Sequence, residues 1–276
     1  MRINHNIPAL FAHRQYTINT RALDKNLEKL SSGMRINWAS DDAAGLAISE
    51  KMRTQIRGLN QAIRNAQDGI SFVHTAEGAL VEIHSILQRL RELAVESANG
   101  TYTNEDRMQI QFEVSQLVQE IDRIVDTTHF NKLYMLKGDY ATNGPKQMFF
   151  HVGANKDDRF QVFIENMSST ALGVNGLDLT TQESANNAIA TLDEAIKMVS
   201  TQRANLGAYV NRLEHTIKNL SVAHESTVAA ESRIRDVDMA KEMSNFVKNQ
   251  ILLQSSAAML SQANMAPQIV LRLLGG

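Results

Sequence analysis

The placement of proline is the sequence feature that most constrains the fold of this chain. Of its 276 residues only Pro8, Pro145 and Pro267 are proline, so two stretches of more than a hundred residues lack the strongest helix breaker. Aromatic residues make up only 5% of the chain. Long helices are therefore favoured over a β-rich domain.

Hydrophobic spacing supports one very long helix in the first of these stretches. Between Met52 and Ala94, apolar residues recur at alternating steps of three and four, with a single irregular step. Such spacing is typical of a coiled coil that carries a stutter. We predict a helix from about residue 42 to residue 99, because Asn99-Gly100 is a helix stop signal.

Two further helices follow signals of the capping-box type. The first box is Thr103-Asn104-Glu105-Asp106, and the second is Thr180-Thr181-Gln182-Glu183. After the second box, the same alternation of three and four continues from Ile189 to Ile234. Its polar members are Arg203, His224, Thr227 and Glu231. Polar residues at such positions weaken helix packing but fix its register.

The segment between these helices predicts the only strands. Residues 149–152 and 160–164 are β-type runs around a loop rich in Gly, Asn and Asp, which indicates a hairpin. The predicted fold class is therefore mainly α, an elongated helical rod with coiled-coil packing and a small β-hairpin region over about residues 138–179. We place the hairpin at one end of the rod.

The two chain ends are amphipathic but have no evident partner in this rod. They pair with each other, pair with copies of themselves, or fray. We predict a terminal domain of residues 1–40 plus 236–276 and a rod domain of residues 41–235. The expected assembly residues of the terminal helices are Leu23, Leu27, Leu30, Val237, Met243, Val247, Ile251 and Leu260.

Composition and motif searches exclude several classes of function. The chain has no cysteine, which rules out disulfides, thiol nucleophiles and thiolate zinc sites. A net charge of −2 argues against a general nucleic-acid binder, and no apolar run could span a bilayer. No nucleotide-binding, nucleophile-elbow or zincin motif is present, and His74 with Glu77 is interpreted as an ordinary helix surface. We predict no catalytic residue, cofactor or metal.

A second stripe lies beside the predicted core face of the long helix. Ile86, Arg89 and Leu93 share the spacing of the core positions but are rotated by about 100°. Either this stripe widens the core face, or it is a subunit contact that is open in the monomer. Glu113, on the following antiparallel helix, could complement Arg89.

Several local motifs resemble those of bacterial flagellin, and they occur in the order found in that family. They cover residues 1–7, 27–37, 41–49, 88–95, 230–240 and 258–274. The resemblance implies paired terminal helices inside a hollow helical filament, the propeller of swimming motility, with an outer rod capped by the hairpin. The large variable outer domain of many flagellins is absent, and Trp38 stands where a small or polar residue is expected.

The resemblance also implies partners and a location. The chain would be secreted through the flagellar type III apparatus without a cleaved signal, with an export chaperone, a filament cap and hook–filament junction proteins as partners. The filament would lie outside the cell, or in the periplasm of a spirochaete. Arg89, Leu93 and Glu113 match positions bound by the Toll-like flagellin receptor. The alternative is a hook–filament junction protein, which shares the terminal helices.

Overall fold

In a computed structural model, which describes residues 5–142 and 144–274, the chain is mainly helical. The described residues form five helices: α1 (Ile7–Ser32), α2 (Ala43–Ala98), α3 (Asn104–Thr127), α4 (Gln182–Arg235) and α5 (Met239–Leu274). Two small antiparallel hairpins complete the fold: β1 (His129–Phe130) with β2 (Leu133–Tyr134), and β3 (Met148–His151) with β4 (Arg159–Val162). The predicted mainly-α fold with a hairpin region and paired terminal helices is confirmed. The first four residues of the amino-terminal motif, and Gly275-Gly276, lie outside the described residues.

Contacts divide the chain into two units. One comprises the residues up to Ile56 together with those from Ser226 onward, and the other is Arg57–Glu225. Within the second unit, the apolar faces of α2, α3 and α4 form one continuous core with the hairpin segment. The predicted division at residues 40/41 and 235/236 stays a prediction.

The irregular step in the spacing of α2 coincides with an aromatic cluster. Phe72 and Val73 are adjacent in sequence, yet both are buried. The Phe72 ring makes edge-to-face contacts with Phe130, Tyr140 and Phe150, at centroid distances of 5.8, 6.4 and 5.7 Å. The stutter therefore widens the buried face of α2 where the hairpin segment packs against it.

Local capping signals fix the helix starts, with one correction. At α3 the predicted box is present, since the Asp106 amide donates to Thr103 Oγ1 (3.3 Å) and the Thr103 amide donates to Asp106 Oδ2 (3.0 Å). At α4 the cap is Thr181, whose Oγ1 accepts from the Ser184 amide at 3.2 Å. The box predicted from Thr180 is wrong by one residue, because the Thr180 amide instead donates to Asp178 in the preceding turn.

The core face of α4 also differs from the predicted one at its centre. Gln202, not Arg203, is buried there, and its Nε2 donates to the Phe163 carbonyl at 3.1 Å. A buried amide needs such a partner, and the segment after β4 supplies it. This contact joins residues far apart in sequence, so the local spacing could not show it.

Glycine on α2 lets the β3–β4 hairpin approach the helix. A Cβ built on Gly69 would lie 3.1 Å from Phe150 Cγ, which is tighter than ordinary van der Waals contact. By contrast, a Cβ built on Gly78 would meet no atom within 4 Å. The two positions thus differ in their packing although both lie inside the same helix.

We expect Gly78→Ala to raise the free energy of unfolding by about 0.5–1 kcal/mol, because alanine restricts the unfolded chain and favours helix. In Gly69→Ala this gain should be cancelled or reversed, since the Phe150 ring must move. Urea denaturation followed by circular dichroism compares the two variants. Equal stabilisation by both would contradict the close packing at Gly69.

Candidate interaction surfaces

The first candidate surface is formed by α1 and α5, which pack against each other. Asn6 caps α1 by accepting the Ala9 amide, and its own Nδ2 donates to the Ala263 carbonyl at 2.8 Å. At the other end of α1, Gly33 adopts the left-handed conformation (φ 71°) and closes the helix on the Lys29 carbonyl. A hydrogen bond therefore joins α1 to α5 near the start of α1, and Gly33 terminates α1 at its other end.

Main-chain hydrogen bonds join the loop after α1 to the start of the α5 segment. The Val237 amide donates to the Gly33 carbonyl at 3.0 Å, and the Arg35 amide donates to the Arg235 carbonyl at 2.6 Å. The guanidinium of Arg35 also donates to the Ile234 carbonyl. Arg235 in turn forms an ion pair with Glu50 at 2.5 Å. These bonds hold the two chain ends in one register.

Among the side chains described on α1 and α5, the most buried are polar. Asn19 and Asn26 are the buried residues of α1, and Ser256 is buried on α5. Asn19 Nδ2 donates to Ser256 Oγ at 2.6 Å and to the Leu252 carbonyl at 3.3 Å, whereas Asn26 Nδ2 has no partner within the described part of the chain. Buried asparagine specifies helix register at a cost in stability.

Apolar side chains of the two helices point instead into solvent. Among the large apolar side chains described on these helices up to residue 265, twelve are between 41% and 68% exposed: Ile7, Leu10, Phe11, Ile18, Leu27, Met239, Met243, Val247, Ile251, Leu252, Met259 and Met265. Of the predicted assembly residues, Leu27, Met243, Val247 and Ile251 are exposed, and the other four, Leu23, Leu30, Val237 and Leu260, are half-buried. We call the twelve exposed residues the terminal apolar surface. So many exposed apolar side chains on one pair of helices indicate an interaction site.

The second candidate surface lies on α2 and α3, in the other unit. Arg89 Nε donates to Glu113 Oε1 at 2.9 Å, and Arg89 Nη1 donates to Glu92 at 3.2 Å. Hydrogen bonding to Glu113 is the main reason why the pKa of Arg89 is raised. The side chains of Arg89 and Glu113 are both about half exposed, at 48% and 45%. The structure thus brings these two predicted residues together on an open surface.

Leu93 does not lie on that surface. It is only 2% exposed and belongs to the core, and Ile86 is half-buried against the same core. The expectation that Leu93 is open in the monomer is therefore wrong. The reason is that α2 contacts α3 on one side, through Arg89, and α4 on another, where Arg91 Nε donates to Asp193 at 2.7 Å. A helix between two neighbours buries a wider face.

Three solvent-exposed apolar residues that are close in sequence to Arg89 or Glu113 were not predicted. Phe112 is 68% exposed and Met108 is 51% exposed on α3, and Val95 is 49% exposed on α2. The sequence did contain a sign of this second face of α3. Met108 and Phe112 are four residues apart, so they share a helix face, and that face differs from the apolar stripe that contains Ile110. We call Arg89, Glu113, Met108 and Phe112 the α2–α3 surface.

The described residues contain neither a metal-type cluster of side chains nor a membrane-spanning helix. Nowhere in residues 5–142 and 144–274 do three His, Asp or Glu side chains gather as a metal site would need. His74 lies 3.5 Å from Glu77 on the surface of α2. Within the same ranges, every helix is too short or too polar to cross a bilayer.

The loop between α1 and α2 contains a carboxylate with a lowered pKa. Asp41 Oδ2 accepts the amides of Trp38 (3.2 Å) and Asn37 (3.3 Å), and Oδ1 lies 4.0 Å from Lys25 Nζ. The Trp38 amide is the main cause that lowers the pKa of Asp41 below 3.8, with Asn37 and Lys25 adding to it. The ionised carboxylate therefore holds this turn together.

We expect the turn to loosen in acid. Because the pKa of Asp41 is lower in the folded chain, its stabilising effect is complete above the ordinary value of 3.8 and is lost as the pH falls through the lowered value. Fluorescence anisotropy of Trp38 should drop over this range. Asp41→Ala should already show low anisotropy at neutral pH, whereas Lys25→Ala should stay near wild type. Equal neutral-pH anisotropy in wild type and Asp41→Ala would contradict this role.

Both surfaces lie in segments that match the helical regions of one protein family. The family profile described as "Bacterial flagellin N-terminal helical region" matches residues 3–141, and "Bacterial flagellin C-terminal helical region" matches residues 189–274. The flagellar filament 33 kDa core protein of Treponema phagedenis is 56% identical over 285 residues, covering 99% of this chain and 100% of that protein. A flagellin of Halalkalibacterium halodurans is 54% identical over 276 residues, again covering 99% and 100%.

A solved structure also matches. The crystal structure of Bacillus cereus flagellin superimposes with a TM-score of 0.51 at 32% sequence identity, covering 57% of this chain and 88% of that one. The resemblance of the sequence motifs to this family is thereby confirmed.

Proposed function

This chain belongs to the bacterial flagellin family, and from that premise we propose that it is the structural subunit of a hollow helical flagellar filament that serves as a propeller in swimming. Flagellins are structural proteins, so we assign the chain no catalytic role. The observation that carries the proposal is the terminal apolar surface, which the chain leaves exposed although its two helices are already paired.

The energetics of this surface favour assembly. Complete burial of a fully exposed Leu, Ile or Met side chain contributes about 1.5–3 kcal/mol, and the residues of this surface, which are already partly covered, would each gain about half of that. Association costs about 4–15 kcal/mol in lost freedom of motion. Covering most of the terminal apolar surface with neighbouring copies is therefore enough to offset that cost. The polar contact between α1 and α5 provides register, and the neighbours provide the apolar cover.

Electron microscopy of the purified full-length chain tests the proposal. After addition of filament seeds or a salting-out salt, which strengthens apolar burial, long hollow filaments are expected. A hook–filament junction protein, the alternative, would form assemblies of few copies. Absence of filaments under every polymerising condition would overturn the proposed function.

We further propose the partners and location that follow from a filament subunit. The chain would leave the cell through the flagellar type III apparatus with an export chaperone and then join a filament bounded by cap and hook–filament junction proteins. Similar relatives come from a spirochaete and from a Halalkalibacterium species. The filament would be extracellular in general and periplasmic in a spirochaete.

We propose that the α2–α3 surface is a subunit contact and that the Toll-like flagellin receptor binds it on free monomers. Support comes from the half-exposed ion pair of Arg89 and Glu113 and from the exposure of Phe112, which precedes Glu113 on α3. Leu93 and Ile86 would contribute indirectly, because they pack α2 against the core and so position Arg89. Receptor activation by monomers but not by intact filaments is the expected result.

A further inference from the structure

Trp38 is the single tryptophan of the chain, and it is 64% exposed in the loop between α1 and α2. Tryptophan is the largest apolar side chain, so leaving it in water forgoes a large gain from burial. Within the part of the chain that the structure describes, the ring belongs to neither buried hydrophobic cluster. Its exposure therefore needs an explanation beyond the folding of the subunit.

The loop holds Trp38 in a fixed position. The Trp38 amide donates to Asp41 Oδ2, and the Asp41 amide donates back to the Trp38 carbonyl at 3.0 Å. Just before it, the side chain of Ile36 is 2% exposed, which anchors the loop in its unit. The ring is thus presented on a rigid support, and a rigid anchor loses little entropy when a partner covers it.

The polar atom of the indole is already satisfied. Trp38 Nε1 donates to Glu28 Oε1 on α1. A partner could bury the ring without leaving an unpaired N–H group, whose burial would cost free energy. The face of the ring is therefore suited to an apolar neighbour, since no hydrogen-bonding group has to be provided for it.

The surroundings favour a protein surface over a lipid or nucleic acid. Charges of both signs occur in and beside this loop: Glu28 accepts from the indole N–H, Asp41 accepts from the Trp38 main-chain amide, and Lys25 lies 4.0 Å from Asp41. An anionic bilayer or a polynucleotide would need a basic patch. Glu28 also follows Leu27, which is 56% exposed and belongs to the terminal apolar surface. Trp38 thus belongs to the same unit as the terminal apolar surface and contacts α1, one of the two helices that carry it.

We infer that Trp38 is an anchor of the contact between copies of this chain, covered by a second copy in the filament. The inference rests on the proposed function, because it names a residue that this assembly would use. Tryptophan is enriched among the few interface residues that contribute most of the binding energy.

Fluorescence of the single tryptophan in the full-length chain tests the inference directly. On polymerisation, the emission should shift to the blue and quenching by acrylamide should fall. Trp38→Ala should raise the concentration of free subunit in equilibrium with filaments about thirtyfold, the effect of a hot-spot truncation. Trp38→Phe keeps a ring and should recover part of the loss. Both variants retain the main-chain amide that binds Asp41, and unchanged circular dichroism checks their fold.

The outcomes distinguish a failure of the Trp38 inference from a failure of the proposed filament function. Wild-type filaments in which Trp38 is quenched as readily as in the free subunit would overturn this inference alone. Unchanged assembly of Trp38→Ala would do the same. If the wild-type chain forms no filaments at all, the proposed function and this inference fall together.

Discussion

Removal of residues 237–276 should leave a folded helical subunit that forms no filaments. The core of the unit Arg57–Glu225 draws its residues from Ala66 to Leu213, so the truncation removes none of them. It does remove α5 and with it most of the terminal apolar surface. Circular dichroism should show a cooperative helical unfolding transition, and electron microscopy should show no polymer.

Point variants provide the matched control for this truncation. Ile251→Asp places a charge in the terminal apolar surface, where the native side chain is 60% exposed, and should block polymerisation without unfolding the subunit. Val222→Asp makes a similar change on α4, at a residue that is 63% exposed outside that surface, and should still assemble. Filaments formed by the truncated chain would show that α5 is not an assembly element.

Leu93→Ala should mainly reduce stability, whereas Arg89→Ala should mainly reduce assembly. Leu93 is buried, so its truncation leaves a cavity and should lower the free energy of unfolding by about 2–5 kcal/mol. Arg89 is half exposed, so its truncation should leave the free energy of unfolding near wild type while weakening polymerisation and receptor signalling. Chemical denaturation, sedimentation of polymer and a receptor reporter assay measure the three quantities.

A volume-conserving substitution controls for the chemistry of the core site. Leu93→Met keeps the buried volume and should stay within about 1.5 kcal/mol of wild type. If Arg89→Ala polymerises and signals as the wild type does, the α2–α3 surface is not a contact. If Leu93→Ala keeps full stability, the burial of that side chain is not what holds α2 in place.

Short-range signals predicted much of the secondary structure. The helix expected over about residues 42–99 is Ala43–Ala98, and the Thr103 capping box begins α3 as predicted. The hairpin predicted from residues 149–152 and 160–164 lies within one or two residues of its observed strands. Helix caps and alternation act over a few neighbouring residues, so the sequence records them directly.

One small element escaped prediction for a local reason. Strands β1 and β2 have only two residues each, which is too short to show any alternation. The turn between them uses positive φ angles at Asn131 (49°) and Lys132 (65°). Glycine is the usual second residue of such a turn, so Asn-Lys carries a weak signal.

The sequence by itself determined which residues are apolar and at what helical spacing, and this fixed the helices and the need for a partner. Only the tertiary structure decided which neighbour covers each face. It buries Leu93 between two helices, buries Gln202 against the Phe163 carbonyl, and makes Asn19 and Ser256 the buried contact of the chain ends. The physical reason is that periodicity depends on residues a few positions apart, whereas burial depends on segments that are distant in sequence, 39 residues apart for Phe163 and Gln202 and 237 for Asn19 and Ser256.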